Sequence, residues 1–383
     1  MFDTSSEPRA ARRGGLVARF RAWQIRLISD PGFQRVAARN PLLRVVARRD
    51  AARLYDLTAG FVYSQVLLAC IELDLFEHIA DRTVALDDLA AAIDLSPDRA
   101  ERLAQAAAAL DLLVRTRDGA YRLGRLGAAT RGVPGLPDMI RHHAMFYRDI
   151  ADPIALLRGR VSPELAAFWP YVMGADATAF APGVADSYSD LMASSQILVS
   201  QETLAALNFR GHRRLLDVGG GSGAFLSAVL AATPRLEGIL FDLPQVVASA
   251  ADRFARAGQQ DRIDVVGGSF RTDDLPTGAD VITLVRVAYD HDDHTVRGLL
   301  ARIRAALPPG GRIVISEPMS GGDRPSRAGD AYFGFYTLAM TTGRARSAAR
   351  HCELLTEAGF SSARTIPTQR PFITGCVEAV RPR

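Results

Sequence analysis

From about residue 213 onward, short apolar runs alternate with stretches whose apolar residues recur at helical spacing. The runs are RRLLDV, GILFDL, RIDVV, DVITLVRV, GRIVISEP, ARTIPT and TGCVEAV. Strands that alternate with helices predict a mainly parallel sheet. A turn-like segment, QRPFI, separates the last two runs, so we expect them to form an antiparallel pair at one edge. The pattern predicts an α/β domain with a seven-stranded sheet.

The pattern before residue 150 is helical. Residues 85–127 predict two helices followed by a short hairpin that turns at Asp118 and Gly119, which is typical of a winged helix. The second helix contains LAQAAAALDLL and is apolar nearly all round. This favours a packing or dimerising role over entry into a DNA groove, so we expect no nucleic-acid partner. The stretch FWPYVMG after residue 150 predicts a connector that helps to form a pocket wall.

The N-terminal arm combines positive charge with an apolar stripe. Leu16, Phe20, Trp23 and Leu27 fall on one helical face, and Pro31 should end that helix. The first 53 residues hold twelve Arg and four acidic residues, so the net charge of +4 originates in the arm. Two interpretations stay open: the arm lies on anionic lipid, or the stripe packs on the protein's own body or on a partner subunit.

Composition and cysteine spacing bound the class of protein. Apolar residues make up 48% and charged residues 23%, which is ordinary for a globular protein. We expect no membrane span and no signal peptide, since no uncharged apolar run of sufficient length appears. Cys70, Cys352 and Cys376 lie far apart without metal-ligand spacing, so we expect a cytoplasmic protein with no disulfide framework and no metal site. The expected parts are a basic arm (1–50), a winged-helix dimerisation and substrate-lid region (51–195), and a cofactor-binding domain (196–383).

The stretch LLDVGGGSGAF predicts a strand, a glycine-rich turn and the start of a helix. Glycine is needed where the backbone turns tightly and a ligand approaches it closely. Taken as Gly219, Gly221 and Ala224, the glycines also fit a dinucleotide site, with Asp242 as the acid that holds a ribose. However, Asp217 at the strand end favours a cationic amino-acid head group over a pyrophosphate. No second βαβ half for a nicotinamide is apparent.

The combination of DVGGGSG, FDLP, VGGSF and GRIVISEP resembles the S-adenosylmethionine-dependent O-methyltransferases of the plant caffeate and bacterial acetylserotonin type. The resemblance extends from about residue 50 to the end of the chain. It implies a class I, Rossmann-like methyltransferase domain that uses S-adenosylmethionine. It also implies a homodimer in which the winged-helix domain forms much of the interface.

The resemblance assigns roles to particular residues. It implies that Gly219 faces the amino-acid portion of the cofactor. It places Asp242 and Leu243 at the ribose hydroxyls. It places Ser269 and Phe270 at the adenine.

Two departures from the family lie in this cofactor site. The family usually has Asp where Ser269 stands, which implies a weaker or different adenine contact. Where plant members use Lys to reach the cofactor carboxylate, this chain has Val285, with Arg286 next to it. The expected cofactor-binding residues are Asp217, Gly219, Gly221, Asp242, Leu243, Ser269, Phe270 and Arg286.

The expected catalytic base of the family is absent. Members carry a His-Asp-Trp stretch after the next strand, and its His removes the hydroxyl proton. Here the stretch is YDHDDH, with Tyr289 at the position of the His and His291 at that of the Trp. In GRARS, Ala345 stands where a Glu would flank that His, whereas the other flanking acid survives as Glu317.

The missing base favours an acceptor that is not a phenol. A phenol, with a pKa of about 10, gains from a positioned base. An aliphatic alcohol is much less acidic, so its catalysis depends mainly on holding the oxygen in line with the methyl group in a dry pocket. We predict that Tyr289 positions the hydroxyl and that His291 or Glu317 collects the proton. The alternative is that Tyr289 only packs and His291 is a solvated or capping residue.

Further stretches resemble one branch of the family. LTAGFVYSQVLLACIELDLFE, LVRVAYDHDD and DAYFGFYTLAMTTGRARS resemble the 1-hydroxycarotenoid O-methyltransferases of purple photosynthetic bacteria. This implies methyl transfer to the tertiary hydroxyl of an acyclic carotenoid, which the basic arm would help to reach in the inner or intracytoplasmic membrane. Phe333, Phe335 and Met340 are candidates for the wall of an apolar substrate tunnel, although such a stripe is also typical of plain core.

Two other functions fit the sequence. A carbon methyltransferase acting on a bacteriochlorophyll-type tetrapyrrole would also bind a large apolar substrate and would not need a His aimed at a hydroxyl. A non-catalytic regulator would pair the winged helix with a cofactor-sensing domain that has lost its base.

Overall fold

A computed structural model of the chain describes residues 9–168 and 196–383, with side chains from residue 17 onward in the first helix. The helices of the first range are α1 (Arg9–Ile28), α2 (Pro31–Arg39), α3 (Arg44–Glu72), α4 (Leu75–Ile79), α5 (Leu86–Ala92), α6 (Pro97–Ala109), α7 (Arg125–Gly132), α8 (Leu136–Asp149), α9 (Pro153–Leu157) and α10 (Glu164–Phe168). Its strands are β1 (Leu113–Arg115) and β2 (Tyr121–Leu123).

The second range forms an α/β domain. Its helices are α11 (residues 196–206), α12 (Ala224–Ala232), α13 (Pro244–Val247), α14 (Ala250–Arg256), α15 (Asp293–Ala306), α16 (Gly334–Ala339) and α17 (Ala348–Glu357). Its strands are β3 (Arg214–Val218), β4 (Glu237–Asp242), β5 (Ile263–Gly267), β6 (Val281–Val285), β7 (Arg312–Glu317), β8 (Ser361–Ile366) and β9 (Gly375–Val380). Short 3₁₀ turns cover Gln260–Arg262 and Ala288–Asp290, and a π-helix covers Arg327–Phe333.

The seven strands of the second range form one sheet in the order β5-β4-β3-β6-β7-β9-β8. The pairs from β5 to β7 are parallel, whereas β9 runs antiparallel to both β7 and β8. The predicted sheet and its antiparallel edge pair are therefore confirmed. In this register Asp217 on β3 lies beside Thr283 on β6, so the carboxyl ends of the parallel strands meet at one edge.

Strand β6 shows how the sheet is held between two apolar layers. All five of its residues are buried. Ile282 and Leu284 pack into the cluster that contains α15 and α17, whereas Val281 and Val285 pack into the cluster that contains α12 and α14. A strand that is apolar at every position is typical of a parallel sheet covered by helices on both faces.

The winged helix predicted for residues 85–127 is also present. Helices α5 and α6 are followed by the antiparallel pair β1 and β2, as the sequence indicated. Helix α6 buries Ala100, Ala104 and Ala107 at spacings of four and three residues. Its apolar face therefore packs within this domain.

Two of the described residues of the N-terminal stripe, Phe20 and Trp23, do not pack on the described part of the protein's own body, whereas Leu27 is half-buried. Helix α1 ends at Ile28, before Pro31, as predicted, and the Asp30 carboxylate caps α2 by accepting the backbone N–H of Phe33. Phe20 and Trp23 are 56% and 52% exposed. The side chain of Leu16 lies outside the described residues.

Helix α3 is long and largely apolar. Among the described residues it is the one helix long and apolar enough to cross a membrane, with a mean hydropathy of 1.4 over its most apolar window, of which 11% is buried. The sequence predicts no membrane span, and a single helix of this kind is weak evidence against that prediction. Length and composition alone do not make a helix a membrane span. The last turn of α3 buries Cys70 and Ile71 in the winged-helix core, so this end of the helix packs within the protein. Its first half instead presents Leu54 and Leu57 to the surface, at 65% and 73% exposed.

The two domains contact each other beside the carboxyl edge of the sheet. Phe146 on α8 and Leu165 on α10 pack against Tyr336 and Met340 in and beside α16. The Asp149 carboxylate fixes α10 by accepting the backbone N–H groups of its first two residues at 2.7 and 2.9 Å. This contact places side chains of the helical domain next to the end of β6.

We predict that Gly127→Ala destabilises the winged-helix domain. A Cβ at Gly127 would lie 2.2 Å from the carbonyl oxygen of Leu112, a backbone atom that cannot move without shifting β1. We expect a loss of about 1–3 kcal/mol in the free energy of unfolding, measured by thermal or denaturant unfolding. Gly132→Ala, in the same helix, meets no atom within 4 Å and serves as the control that should lose no stability. Equal stability of the two variants would contradict this packing.

Candidate active site

A cleft opens at the carboxyl edge of the sheet, over the ends of β3, β4, β5 and β6. All eight residues predicted for the cofactor line it, namely Asp217, Gly219, Gly221, Asp242, Leu243, Ser269, Phe270 and Arg286. His291 also lines the cleft, as do residues that the sequence analysis did not single out for the site, namely Gln196, Val246, Arg271, Val287 and Asp290. The structure therefore brings the predicted cofactor residues together. Their contacts with a bound molecule stay predictions.

The glycine-rich turn between β3 and α12 requires two of its glycines. Gly219 has φ +69°, and a Cβ there would lie 2.8 Å from Val287 Cγ2. Gly221 has φ +60° and turns its N–H towards Asp242. Because a side chain would strain both positions, the backbone can line the cleft directly.

Asp217, at the end of β3, is fully buried. Its Oδ1 accepts a hydrogen bond from Thr283 Oγ1 at 2.7 Å, whereas Oδ2 has no hydrogen-bond partner in the described part of the chain. Burial raises the pKa of this carboxyl to about 7; the Thr283 bond opposes that shift and the nearby Asp242 adds to it. An unpartnered buried oxygen in the wall of a cleft is a place for a cationic group, because an ammonium would restore both its hydrogen bonding and its charge balance.

Asp242 ends β4 and holds the turn in place. Its Oδ2 accepts the N–H of Gly221 and its Oδ1 accepts the N–H of Leu243, both at 2.7 Å. Burial raises the pKa of the carboxyl to about 6, while these two N–H groups act in the opposite direction. Each carboxylate oxygen keeps a second lone pair, so the group can also accept hydrogen bonds from a diol in the cleft.

Phe270 and His291 form an aromatic wall at one end of the cleft. Their rings meet edge to face with centroids 5.2 Å apart. Arg271 lies 3.2 Å from Nδ1 of His291, and only the arginine can donate, so Nδ1 is an acceptor here. Burial, with Arg271 and Arg346 nearby, lowers the pKa of His291 to about 3. This placement favours stacking or edge contact with a ring over the proton-collecting role predicted from the sequence.

Tyr289 occupies the expected position of the base but makes different contacts. Its hydroxyl accepts a hydrogen bond from the half-buried Arg286 guanidinium and donates one to the Asp290 carboxylate. Burial raises the pKa of Tyr289 well above its usual range, and the neighbouring Asp290 adds to the shift. Arg286 has φ +60°, an uncommon conformation for a side-chain-bearing residue, of the kind that clusters at functional sites. A tyrosine in this setting is a hydrogen-bonding group and not a base.

Glu317 lies beneath Tyr289 and outside the lining of the cleft. Its Oε2 accepts the backbone N–H of Tyr289 at 3.1 Å, and its Oε1 lies 2.8 Å from Nε2 of His351. Both side chains are 0% exposed. In this position Glu317 holds the backbone of the 288–290 turn, and nothing in the structure opens it to a substrate proton.

Arg346 fixes the same turn and was not singled out from the sequence. It is 2% exposed, and its guanidinium donates to the carbonyl oxygens of Ala288 and His291, each at 2.7 Å, and to the Asp293 carboxylate at 2.8 Å. A buried cation with these three acceptors fixes the path of the chain between β6 and α15. The GRARS stretch contained this residue, but no spacing rule connects it with residues some 55 positions earlier.

Two histidines of α8 also reach this region. His142 Nε2 lies 2.8 Å from the Tyr336 hydroxyl, and His143 Nε2 lies 2.6 Å from the Tyr332 hydroxyl. Burial lowers the pKa of both imidazoles, that of His142 to about 4, so both are neutral at neutral pH. No sequence pattern predicts these pairs, because their members lie nearly 200 residues apart.

The three predicted tunnel residues occupy different environments. Phe333 contacts the Tyr289 ring edge to face, with centroids 6.3 Å apart. Met340 is 1% exposed and packs in the cluster between the domains, and Phe335 packs against that cluster. None of the three lines the cofactor cleft, and their contact with a substrate stays a prediction. The pocket-wall stretch FWPYVMG lies outside the described side chains.

The donor and acceptor groups of the cleft fit S-adenosylmethionine. The unpartnered Asp217 oxygen suits an ammonium, the Asp242 carboxylate suits ribose hydroxyls, and the ring pair suits adenine. Pyrophosphate would meet the buried carboxylate of Asp217 and the half-buried carboxylate of Asp242 and be repelled. The cleft therefore favours the sulfonium cofactor over a dinucleotide.

We predict opposite effects of Asp217→Asn on stability and on binding. A carboxyl whose pKa is raised in the folded state stabilises the fold below its unfolded pKa, and this contribution is lost as the pH rises through about 7. An Asn side chain does not ionise, so the variant does not lose this stability at high pH. Without ligand, its free energy of unfolding should exceed that of the wild type by about 1–4 kcal/mol at pH 8 and by much less at pH 5. Its affinity for S-adenosylhomocysteine should fall at least tenfold.

Thermal unfolding at both pH values and calorimetry check this prediction. The exposed Asp261→Asn variant is the control and should change neither quantity. A pH-independent stability difference together with unchanged affinity would show that Asp217 has no part in binding.

Comparison with known proteins agrees with this geometry. Residues 147–361 match the O-methyltransferase domain, and residues 36–130 match the O-methyltransferase dimerisation domain. The chain is 51% identical over 358 residues to demethylspheroidene O-methyltransferase of Cereibacter sphaeroides, covering 94% of each protein. It is 50% identical to the enzyme of the same name from Rhodobacter capsulatus, covering 90% of this chain and 85% of that relative.

Solved structures give the same result. Human N-acetylserotonin methyltransferase in complex with SAM is similar with a TM-score of 0.73 at 25% identity, covering 87% of this chain and 98% of that one. The S-adenosylmethionine-dependent methyltransferase SibL in its apo form has a TM-score of 0.73 at 26% identity, covering 86% of this chain and 99% of that one. The chain therefore belongs to the family of S-adenosylmethionine-dependent O-methyltransferases.

Proposed function

We propose that this protein transfers a methyl group from S-adenosylmethionine to the tertiary hydroxyl of an acyclic carotenoid. The observation that carries the proposal lies beside the cleft-lining Arg286, where Tyr289, bonded to that guanidinium, stands in place of the imidazole that a phenol-methylating relative would use. The identity of 50 to 51% with two demethylspheroidene O-methyltransferases supports the same substrate class.

The cofactor would lie along the sheet edge. We assign its ammonium to Asp217, its ribose hydroxyls to Asp242, and its adenine to the wall formed by Phe270 and His291. When bound, the cofactor supplies an electrophilic methyl group on a positively charged sulfur. The low pKa of His291 keeps that imidazole uncharged, so it adds no positive charge beside the cofactor.

The acceptor would enter from the side of the helical domain. Around Tyr289, the rings of Tyr332, Phe333, Tyr336 and Phe146 contact one another with centroids 4.8 to 6.3 Å apart. This aromatic cluster excludes water next to the reacting groups and offers apolar surface to a polyene end. A dry site favours transfer to an alcohol, because no water competes for the methyl group.

We also propose the division into an arm (1–50), a winged-helix dimerisation and lid region (51–195) and a methyltransferase domain (196–383). The two family matches fall on either side of residue 140, and the sheet begins after residue 196. A dimerisation domain and the exposed apolar first half of α3 support a homodimer. We also propose that this homodimer is located in the cytoplasm.

We predict that the purified protein labels only the hydroxycarotenoid when it is given methyl-labelled S-adenosylmethionine. The acceptors to compare, in detergent micelles, are demethylspheroidene, its already methylated form, N-acetylserotonin and bacteriochlorophyllide. Asp242→Ala should abolish labelling by removing the group that holds both the turn and the ribose. Label in bacteriochlorophyllide would instead support carbon methylation of a tetrapyrrole, and label in no acceptor would reject the proposed function.

We propose in addition that the arm lies on the surface of the membrane that contains the substrate. Its exposed Phe20 and Trp23 rings lie 5.7 Å apart on a helix of a segment rich in arginine. Such a helix can insert its aromatic face between lipid head groups while the arginines contact anionic phosphates. This would bring the cleft to a substrate that does not dissolve in water.

We predict that the protein co-sediments with vesicles that contain anionic lipid and not with neutral vesicles, and that added salt weakens binding. The double variant Phe20→Ser and Trp23→Ser should reduce binding at least fivefold. Phe372→Ser removes an aromatic ring that is 63% exposed on the methyltransferase domain and is the matched control. If the arm variant instead dissociates the dimer and leaves vesicle binding unchanged, the stripe is a subunit contact.

A further inference from the structure

We propose that Asp290 is the catalytic base of the methyl transfer, accepting the hydroxyl proton of the acceptor in place of the missing imidazole. This inference rests on the proposed function and adds the residue that completes its chemistry. The sequence placed four ionisable groups together, Tyr289, Asp290, His291 and Asp292, and the structure distinguishes between them.

The first observation is an unpartnered oxygen of the Asp290 carboxylate. Asp290 lines the cleft and is 5% exposed, yet its Oδ1 is buried and has no hydrogen-bond partner among the described residues. An unpaired carboxylate oxygen inside a protein is costly unless a ligand satisfies it. A hydroxyl group is the ligand that satisfies such an oxygen by donating a hydrogen bond.

The second observation is that the neighbouring candidates are already engaged. His291 accepts from Arg271 at the adenine end, Tyr289 bonds to Arg286, and the exposed Asp292 carboxylate caps α15 by accepting the N–H of Thr295 at 2.8 Å. Only Asp290 in this segment combines an unpartnered acceptor atom with a place in the wall of the cleft.

The third observation is that the position of Asp290 is held rigidly. Its backbone belongs to the 3₁₀ turn Ala288–Asp290, which Arg346 and Glu317 fix from two sides. Its carbonyl oxygen accepts a hydrogen bond from Thr342 at 3.2 Å. A base must lie within hydrogen-bond reach of the proton it takes, and a fixed backbone maintains that distance.

Charged and titratable groups surround the carboxylate on several elements. Arg286 and Tyr289 face it from its own segment, Glu317 from β7 and Tyr336 from α16. Burial raises the pKa of Asp290 well above its usual range, Glu317 adds to the shift, and Arg286 opposes it. A carboxylate with a raised pKa is a stronger base than an ordinary Asp.

The chemistry balances without any further reactant. The acceptor oxygen forms a bond to the methyl group while the bond between that methyl and the cofactor sulfur breaks, with its electron pair remaining on sulfur. The hydroxyl proton becomes acidic only as the oxygen donates its electrons, and it passes to Asp290, which becomes a neutral acid. The proton then leaves to water through the cleft. Because the proton leaves late, a carboxylate is a strong enough base for an alcohol that imidazole could not ionise beforehand.

We predict that Asp290→Asn lowers kcat for the hydroxycarotenoid at least a hundredfold, within the range of general-base effects. The dissociation constant for S-adenosylhomocysteine should stay within threefold, because the cofactor contacts remain. Asp292→Asn, two residues away, is the matched control and should stay within twofold, since Asn is an equally good helix cap. Retention of a third or more of the kcat by Asp290→Asn would overturn the inference.

The pH profile separates a base from a structural role. The base must be ionised, so wild-type kcat should fall as the pH drops through a pKa above that of an ordinary Asp, and this acidic limb should disappear in Asp290→Asn. Persistence of the limb in the variant would reject Asp290, as would a wild-type profile that is flat on its acidic side. The wild-type measurement needs no variant to fold.

A second variant tests the neighbouring hydroxyl. Tyr289→Phe keeps the carboxylate and removes one of its partners, so we expect less than a tenfold loss in kcat. A thousandfold loss with unchanged cofactor affinity would assign the proton chemistry to Tyr289 and overturn the inference. If the wild type labels no hydroxycarotenoid, the proposed function fails; if wild type and Asp290→Asn label it equally, only this inference fails.

Discussion

The site depends on two carboxylates at one edge of the parallel sheet, the buried Asp217 and the half-buried Asp242, which have no countercharge among the described residues. Strands β3, β4 and β6 end at one edge, and the first two place Asp217 and Asp242 there. Neither carboxylate has an ion-pair partner among the described residues, and burial raises the pKa of both. An empty cleft is therefore electrostatically unfavourable, and a cation relieves it. The same cost that lowers the stability of the unliganded protein gives it affinity for a positively charged cofactor.

The opposite end of the cleft is built around a buried cation. The guanidinium of Arg286 interacts with the side chains of Tyr289, Asp290 and Tyr336, and it also lowers the pKa of His142. The charge of Arg286 on the methyltransferase domain therefore affects the pKa of His142 on the helical domain. The close packing of α8 on α16 makes this possible, so the contact between the domains belongs to the acceptor side of the site.

The fold could be predicted from the sequence because its signals are local. The seven apolar runs correspond to the seven strands of the sheet, and Asp118 with Gly119 lies in the hairpin turn of the winged helix. The glycines of the turn after β3 line one cleft together with Asp217 and Asp242. The cofactor side of the site can be predicted because its residues lie at strand ends, whose direction is fixed by the sheet. The acceptor side cannot be predicted in this way, because it depends on pairs such as His142 with Tyr336, which are 194 residues apart. The direction of side chains in the 288–290 turn also follows no periodicity, since a single 3₁₀ turn has no repeating face.

The contrast between local signals and contacts of distant residues explains why the sequence points to the segment that contains the proposed base, but not to Asp290 itself. The family comparison drew attention to the positions where the familiar His and Trp are replaced, Tyr289 and His291, because a change of residue type is visible in a sequence. An unsatisfied oxygen is not visible there. Asp290 has the same residue type as the family motif, and only its surroundings show that it lines the cleft with one carboxylate oxygen that has no hydrogen-bond partner among the described residues. We propose this carboxylate as the proton acceptor because the neighbouring imidazole is replaced and because an alcohol proton leaves late enough for a carboxylate to accept it. On this proposal, the substitution of Tyr for His accompanies a change of acceptor from phenol to alcohol, and the catalytic role moves by one residue along the same turn.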